Sequence, residues 1–228
     1  MAKIHLVWIG FLFVGCGQYP NPNDLAAVRS EQRVEIANKR LESAEETLDY
    51  KVRTKEITDS RRNELIQELA EDLLKKVDPQ TVPQSDQWRY AVLLRVTNRW
   101  PEAEAALAIA VKAANTDDRK VNDTLKLALA EAKNNKVAEA IATASSILGV
   151  GDADAAPILP AVLYEIVPAA QGKGHDKDLA NLVGKAIECQ RRVKVDPASD
   201  AGKMFMIASS QHISNAEAKI SELAGSKN

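Results

Sequence analysis

The 228-residue sequence predicts an all-α protein, an N-terminal helical hairpin followed by a stack of helix–turn–helix repeats. Three observations carry that expectation. Alanine and leucine dominate the apolar residues and aromatics make up only 4% of the chain, a bias toward side chains that lose little on entering a helix. Apolar residues recur at spacings of three and four along stretches free of glycine and proline. Two stretches of the second half also align with one another at a shift of 37 residues.

The hairpin is expected over 24–78. From Asp24 to Val77 there is neither Gly nor Pro. Val34, Ala37, Leu41, Ala44 and Leu48 recur at 3–4–3–4, a coiled-coil-like seam, and Leu65, Leu69, Leu73 and Val77 form a second stripe at spacing four. Between the two, "YKVRTKEITDSRR" is polar, and Ile57-Thr58 has the pattern of a hydrophobic staple followed by an N-cap. These signals place two helices at roughly 24–54 and 58–77, with one continuous helix as the alternative. "DPQTVPQSD" at 78–86, with Pro79 and Pro83, is a clear break.

The repeat region is expected over 85–225. "YAVLLRVTNRWPEAEAALAIAV" from Tyr90 aligns with "LALAEAKNNKVAEAIATASSIL" from Leu127. Ala91 falls on Ala128, Asn98 on Asn135, Trp100 on Val137, and Glu102-Ala103 on Glu139-Ala140. Alanines paired in this way let facing helices approach closely. "APILPAVLYEIVPAA" and "DLANLVGKAIECQRRV" form a looser third pair, with Pro160 near a helix start and Pro168 near a helix end. A last helix from about Ala201 to Leu223 would close the stack.

This pattern resembles the tetratricopeptide repeat (TPR). The small position of that motif's first helix falls on Ala91 and Ala128, and the first small position of its second helix on Ala103 and Ala140. The later small position falls on Ala110 and on Ile147. The turn position usually held by glycine is Asn98 or Asn135, residues that adopt left-handed geometry readily. The resemblance implies an α–α superhelix that grips partner proteins on the inner surface of its first helices. That surface would present Trp88, Val92, Arg95 and Val96 from one unit, and Asn122, Leu125, Leu129 and Lys133 from the next. Trp88, Arg95, Asn122 and Lys133 are the expected partner-binding residues, an apolar groove with cationic edges. The alternative for Trp88 and the valines is core packing against the preceding hairpin.

The amino terminus carries a different message. Lys3 precedes nine uncharged residues, Leu6 to Val14, a run that spans roughly 14 Å as a helix and is too short to cross a bilayer. Its length fits the apolar core of a signal peptide over 1–15, ended by the small Gly15. "FVGC", Phe13 to Cys16, resembles the lipobox of a bacterial lipoprotein, with Phe13 where leucine is usual. The resemblance implies cleavage after Gly15 and diacylglycerol on the Cys16 sulfur, often with a further acyl chain on the new amino group. Two or three chains give stable anchoring. "GQYPNPND" then reads as a flexible tether over 16–23. The other cysteine, Cys189, sits in a helical stretch and reads as a small buried apolar residue.

The search for chemistry excludes more than it finds. A net charge of −2 with few aromatics offers neither the cationic surface nor the stacking platforms of a nucleic-acid binder. His175 and His212 lie 37 positions apart without the three or four convergent ligands a zinc site needs, so no metal site is expected. "GKGHDKD" lacks the spacing of a phosphate-binding loop and reads as a polar turn. Asp152 and Asp154 in "GVGDADAAP" lack the remaining ligands of a calcium loop. No catalytic constellation and no cofactor beyond the lipid are expected. The sequence thus points to an exported, lipid-anchored protein of the bacterial cell envelope. It would act there as a protein–protein interaction scaffold without catalysis. The alternative is an accessory subunit of an envelope complex, oligomerising through the 24–77 hairpin.

Overall fold

A computed structural model describes residues 24–225, which are mainly helical and contain no strand. The expected signal segment, Gly15, Cys16 and the tether lie outside the described residues. No described helix is long and apolar enough to cross a membrane.

The hairpin forms as two helices, α1 (Arg33–Arg53) and α2 (Asp59–Leu74). Thr58 caps α2 as expected, its hydroxyl accepting from the Arg61 N–H at 3.2 Å. Two expectations need correction. The first helix starts at Arg33, nine residues later than the sequence suggested, after 3-10 turns at Leu25–Ala27 and Ser30–Gln32. Side-chain bonds hold the entering chain in this non-helical form. The Asp24 carboxylate accepts from the Ala26 N–H, and the Arg33 guanidinium donates to the carbonyls of Val28 and Ala26, leaving Leu25 and Val28 buried. In α2 the buried stripe is Ile66, Ala70, Leu73 and Leu74, continued by Val77, while Leu65 and Leu69 are only half-buried. The seam of α1 buries Val34, Ala37 and Leu41 against the body of the molecule and leaves Ala44 and Leu48 half-buried. Most of that seam is therefore used inside the chain.

Pro79 and Pro83 break the helix as expected, giving 3-10 turns at Pro79–Thr81 and Gln84–Asp86. Two hairpins follow, α3 (Gln87–Val96) with α4 (Trp100–Ala113) and α5 (Asp117–Lys133) with α6 (Val137–Ser145). Their turns are the same structure repeated 37 residues on. Asn98 has φ 57° and Asn135 φ 62°. The Asn98 N–H donates to the Arg95 carbonyl and the Arg99 N–H to Leu94, and Asn135 and Lys136 donate likewise to Ala132 and Glu131. This is a Schellman motif with asparagine in the left-handed position. Ala91, Ala128, Ala103 and Ala140 are all fully buried, which lets the paired backbones come together. A third copy of the turn, unexpected from the sequence, joins α1 to α2, with Lys55 at φ 62° and the Glu56 N–H on the Lys51 carbonyl.

Beyond residue 150, α7 (Ile158–Ala161) runs through a π-helical turn (Val162–Ile166) into α8 (Val167–Ala170). Pro168 stands two residues past the end of that turn. A proline cannot donate to the carbonyl four residues back and its ring crowds it, and the wider turn relieves both problems. The connection to α9 (Asp176–Arg192) has Gly172 and Gly174 at positive φ, and the buried Asp176 carboxylate accepts from the Gly172 N–H at 2.8 Å. The last helix, α10 (Asp200–Gly225), lies on α9. Apolar residues of α1 to α4, joined by Ala130 of α5, form one cluster and those of α5 to α10 another, with Trp100 packed against both.

Candidate functional site

The sequence-predicted partner residues fall mainly on two rows of side chains. On α3 the row is Trp88, Val92 and Arg95; on α5 it is Arg119, Asn122 and Lys126. Each row advances seven residues, about 10 Å along its helix. Contacts bridge the rows at both ends.

At one end the Trp88 ring is covered by two guanidiniums, Arg89 at 4.5 Å and Arg119 at 4.6 Å from the ring centroid. Each guanidinium also has a carboxylate partner. Arg89 pairs with Asp86, and Arg119 pairs with the buried Asp123 at 2.9 Å. Burial pushes the Asp123 carboxyl up, against the opposing pull of Arg119. Trp88 is thus half-buried under cations and does not belong to the apolar cluster of the hairpin, whereas Val92 and Val96 do pack against that cluster. The indole N–H of Trp88 is buried and has no acceptor among the described residues.

At the other end stands Glu165, from the π-helical turn. Lys126 donates to both of its oxygens at 2.8 Å, and Arg95 lies 4.0 Å away. Burial pushes the Arg95 guanidinium down and Glu165 pulls it back up, while the Arg95 Nε is buried without an acceptor among the described residues. One carboxylate therefore serves two cations. Across the surface Arg89, Arg95, Arg119 and Lys126 face Asp86, Asp118, Asp123 and Glu165, with Glu35 beside Arg89, so its cations are matched by carboxylates.

The other expected residues divide. Asn122 lies on the α5 row, but its amide already donates to the Asp118 carbonyl and carboxylate, each at 3.0 Å. Lys133 stands seven residues beyond Lys126 on the same row, with its ammonium 5.6 Å from the centroid of the Trp100 ring at the loop end of the hairpin. Leu125 and Leu129 do not line the groove. They are buried, because α5 is packed between α4, α6 and the helix at 158–170, and its apolar face is core. Sequence reasoning missed Arg89, Arg119, Lys126 and Glu165. The 37-residue shift carries Trp88 onto Leu125 and Arg95 onto Ala132, so it does not point to Arg119 or Lys126. Glu165 falls where the repeat pattern is loose and gives no signal either.

The residues weighed for other chemistry are accounted for structurally. Cys189 is buried, with its sulfur 3.3 Å from the Leu148 carbonyl. His175 lies 3.5 Å from Asp178, and His212 makes an edge contact with Tyr164. Asp152 pairs with Lys194 at 3.0 Å.

Comparison of the chain with protein-family models, characterised proteins and solved structures finds no match.

Proposed function

We propose that the chain is a helical-repeat scaffold of the TPR type, binding a segment of another protein along the Trp88–Arg95 and Arg119–Lys126 rows. It would be held at the bacterial cell envelope by lipid on Cys16. It acts by binding, with no chemistry of its own. The observation that carries the binding role is the half-buried row of Trp88, Val92 and Arg95 set beside Arg119 and Lys126, with two guanidiniums over the Trp88 ring and two cations on Glu165. A partner segment carrying carboxylates or backbone carbonyls along its length would pair with the guanidiniums and the ammonium of these rows. The TPR assignment itself rests on Asn98, Asn135 and the four buried alanines.

A photo-crosslinking residue at Val92 tests the site in envelope preparations. Adducts are expected from that position and should be lost in Arg95→Glu. Equal adducts from the outward-facing Ile109, unaffected by Arg95→Glu, would refute the assignment. The anchor is tested separately with an alkynyl fatty acid, whose incorporation should disappear in Cys16→Ser. Labelling that survives in the mutant refutes the lipid site.

A further inference from the structure

The corner between α9 and α10 holds a cavity of about 570 Å³, within the size range of ligand sites. Its apolar wall is Val193, Val195, Phe205, Met206 and Ile213. Close packing at Gly202 holds the corner, since a Cβ there would collide with the Asp196 carbonyl oxygen and push the start of α10 away. The Ser199 hydroxyl accepts from the Gly202 N–H at 3.0 Å and fixes the same turn.

Two features of the lining call for a ligand that hydrogen-bonds. The first is Gln190, which is 3% exposed. Its amide donates to the Ser209 hydroxyl at 3.2 Å, and its Oε1 is buried with no donor among the described residues. Turning the amide over exchanges its two ends but leaves one of them unpaired as before, because Ser209 bonds a single end. A buried amide left half-paired costs stability that a ligand group can return. The second feature is the segment leaving α9. Val193 is extended, with φ −60° and ψ 121°. From there burial alternates as along a strand, Val193 and Val195 half-buried and Lys194 and Asp196 exposed. Lys194 and Val195 make no backbone hydrogen bond among the described residues, so their peptide groups are free to pair.

Charge narrows the ligand further. The two charged residues of the lining are already paired, Arg191 with Glu217 at 3.1 Å and Lys194 with Asp152 at 3.0 Å. The cavity therefore suits apolar side chains and neutral amide groups.

We propose that this cavity is a second binding site, for an uncharged, extended peptide segment with apolar side chains at alternate positions. Those side chains lie against Phe205, Met206 and Ile213. The backbone of the segment meets the free peptide groups between Val193 and Asp196, and one of its own peptide groups completes Gln190. The site is built on other helices than the Trp88–Arg95 row and does not depend on it.

The probe is the blocked peptide acetyl-Val-Thr-Leu-Thr-amide, titrated into the isotope-labelled full chain and followed by NMR. Saturable shifts are expected in the Gln190 side-chain amide and in the backbone amides of Lys194 and Val195. Methylating the backbone nitrogens of the probe removes its donors and should weaken binding roughly tenfold, with no change to the protein. Gln190→Leu, checked for folding by circular dichroism, should weaken the unmethylated probe by a similar factor. Arg95→Glu should leave the affinity unchanged, which separates this site from the groove proposed above. Absence of saturation overturns the proposal. So does equal binding of the methylated probe, an affinity unaltered in folded Gln190→Leu, or binding that is lost in Arg95→Glu.

Discussion

Lys55 offers the sharpest test of how the turns are built. It occupies the left-handed position of the α1–α2 turn at φ 62°, where the two homologous turns have asparagine. A left-handed conformation costs an ordinary L-residue about 1–2 kcal/mol, because its Cβ crowds the following carbonyl. Lys55→Gly removes that crowding but gives the unfolded chain more freedom, which takes back about 0.4–1 kcal/mol. The net gain is about 0.5–1 kcal/mol, or roughly 1–4 °C in Tm for a chain of this size. Lys55→Ala is the control, since it deletes the same exposed side chain and keeps the Cβ. Thermal unfolding followed at 222 nm should rank Gly above both Lys and Ala. If Ala stabilises as much as Gly, the gain comes from removing the lysine side chain and the strain argument fails.

Glu131 has a carboxylate oxygen buried without a partner, and burial, only partly opposed by a hydrogen bond to Thr143, pushes its carboxyl above the ordinary range. The folded state therefore takes up this proton at higher pH than the unfolded state, so the ionised group costs stability at neutral pH. Glu131→Gln should stabilise the chain at pH 7, by a margin that shrinks as pH falls through the raised value and vanishes below the ordinary carboxyl range; urea titrations across pH measure it. Arg119→Met should destabilise by roughly 1–3 kcal/mol, because it strands the buried Asp123, and Arg119→Met with Asp123→Asn should recover most of the loss in the same titration. Ala128→Leu places a large side chain where the paired helices touch and should cost about 1–3 kcal/mol in denaturant unfolding, far more than Ala142→Leu on the exposed face.

Features written in local chemistry could be read from the sequence. Thr58 caps, Pro79 and Pro83 break, Asn98 and Asn135 turn left-handed, and the paired alanines are buried, each because of a property of that residue type. Features set by tertiary competition could not. The start of α1 depends on Asp24 and Arg33 binding backbone groups that a longer helix would have claimed. The phase of α2 shifts by one residue because the hairpin packs on α3, which a stripe of leucines does not reveal. Leu125 and Leu129 looked like groove residues because a first helix was expected to have one free face, yet α5 is covered on several sides. Lys55 gave no signal at all, since nothing in lysine favours its conformation and the turn imposes it. At the candidate site Trp88 and Arg95 could be placed on one row of α3, where both are half-buried, but their neighbours Arg119 and Glu165 depend on how separate helices align.

The π-helical turn at Val162–Ile166 bears on more than Pro168. A helix acts as a dial on which each residue advances the direction of its side chain by about 100°, and a turn holding five residues in place of four resets that dial for everything that follows. Glu165 lies inside the reset, and Tyr164 next to it reaches Asn215 and His212 on α10. Two adjacent residues thus serve opposite ends of the protein, one the cationic rows and the other the terminal helix. Deleting a single residue between 162 and 166 would restore an even winding, turn Glu165 away from Lys126, and separate Tyr164 from α10 in the same step.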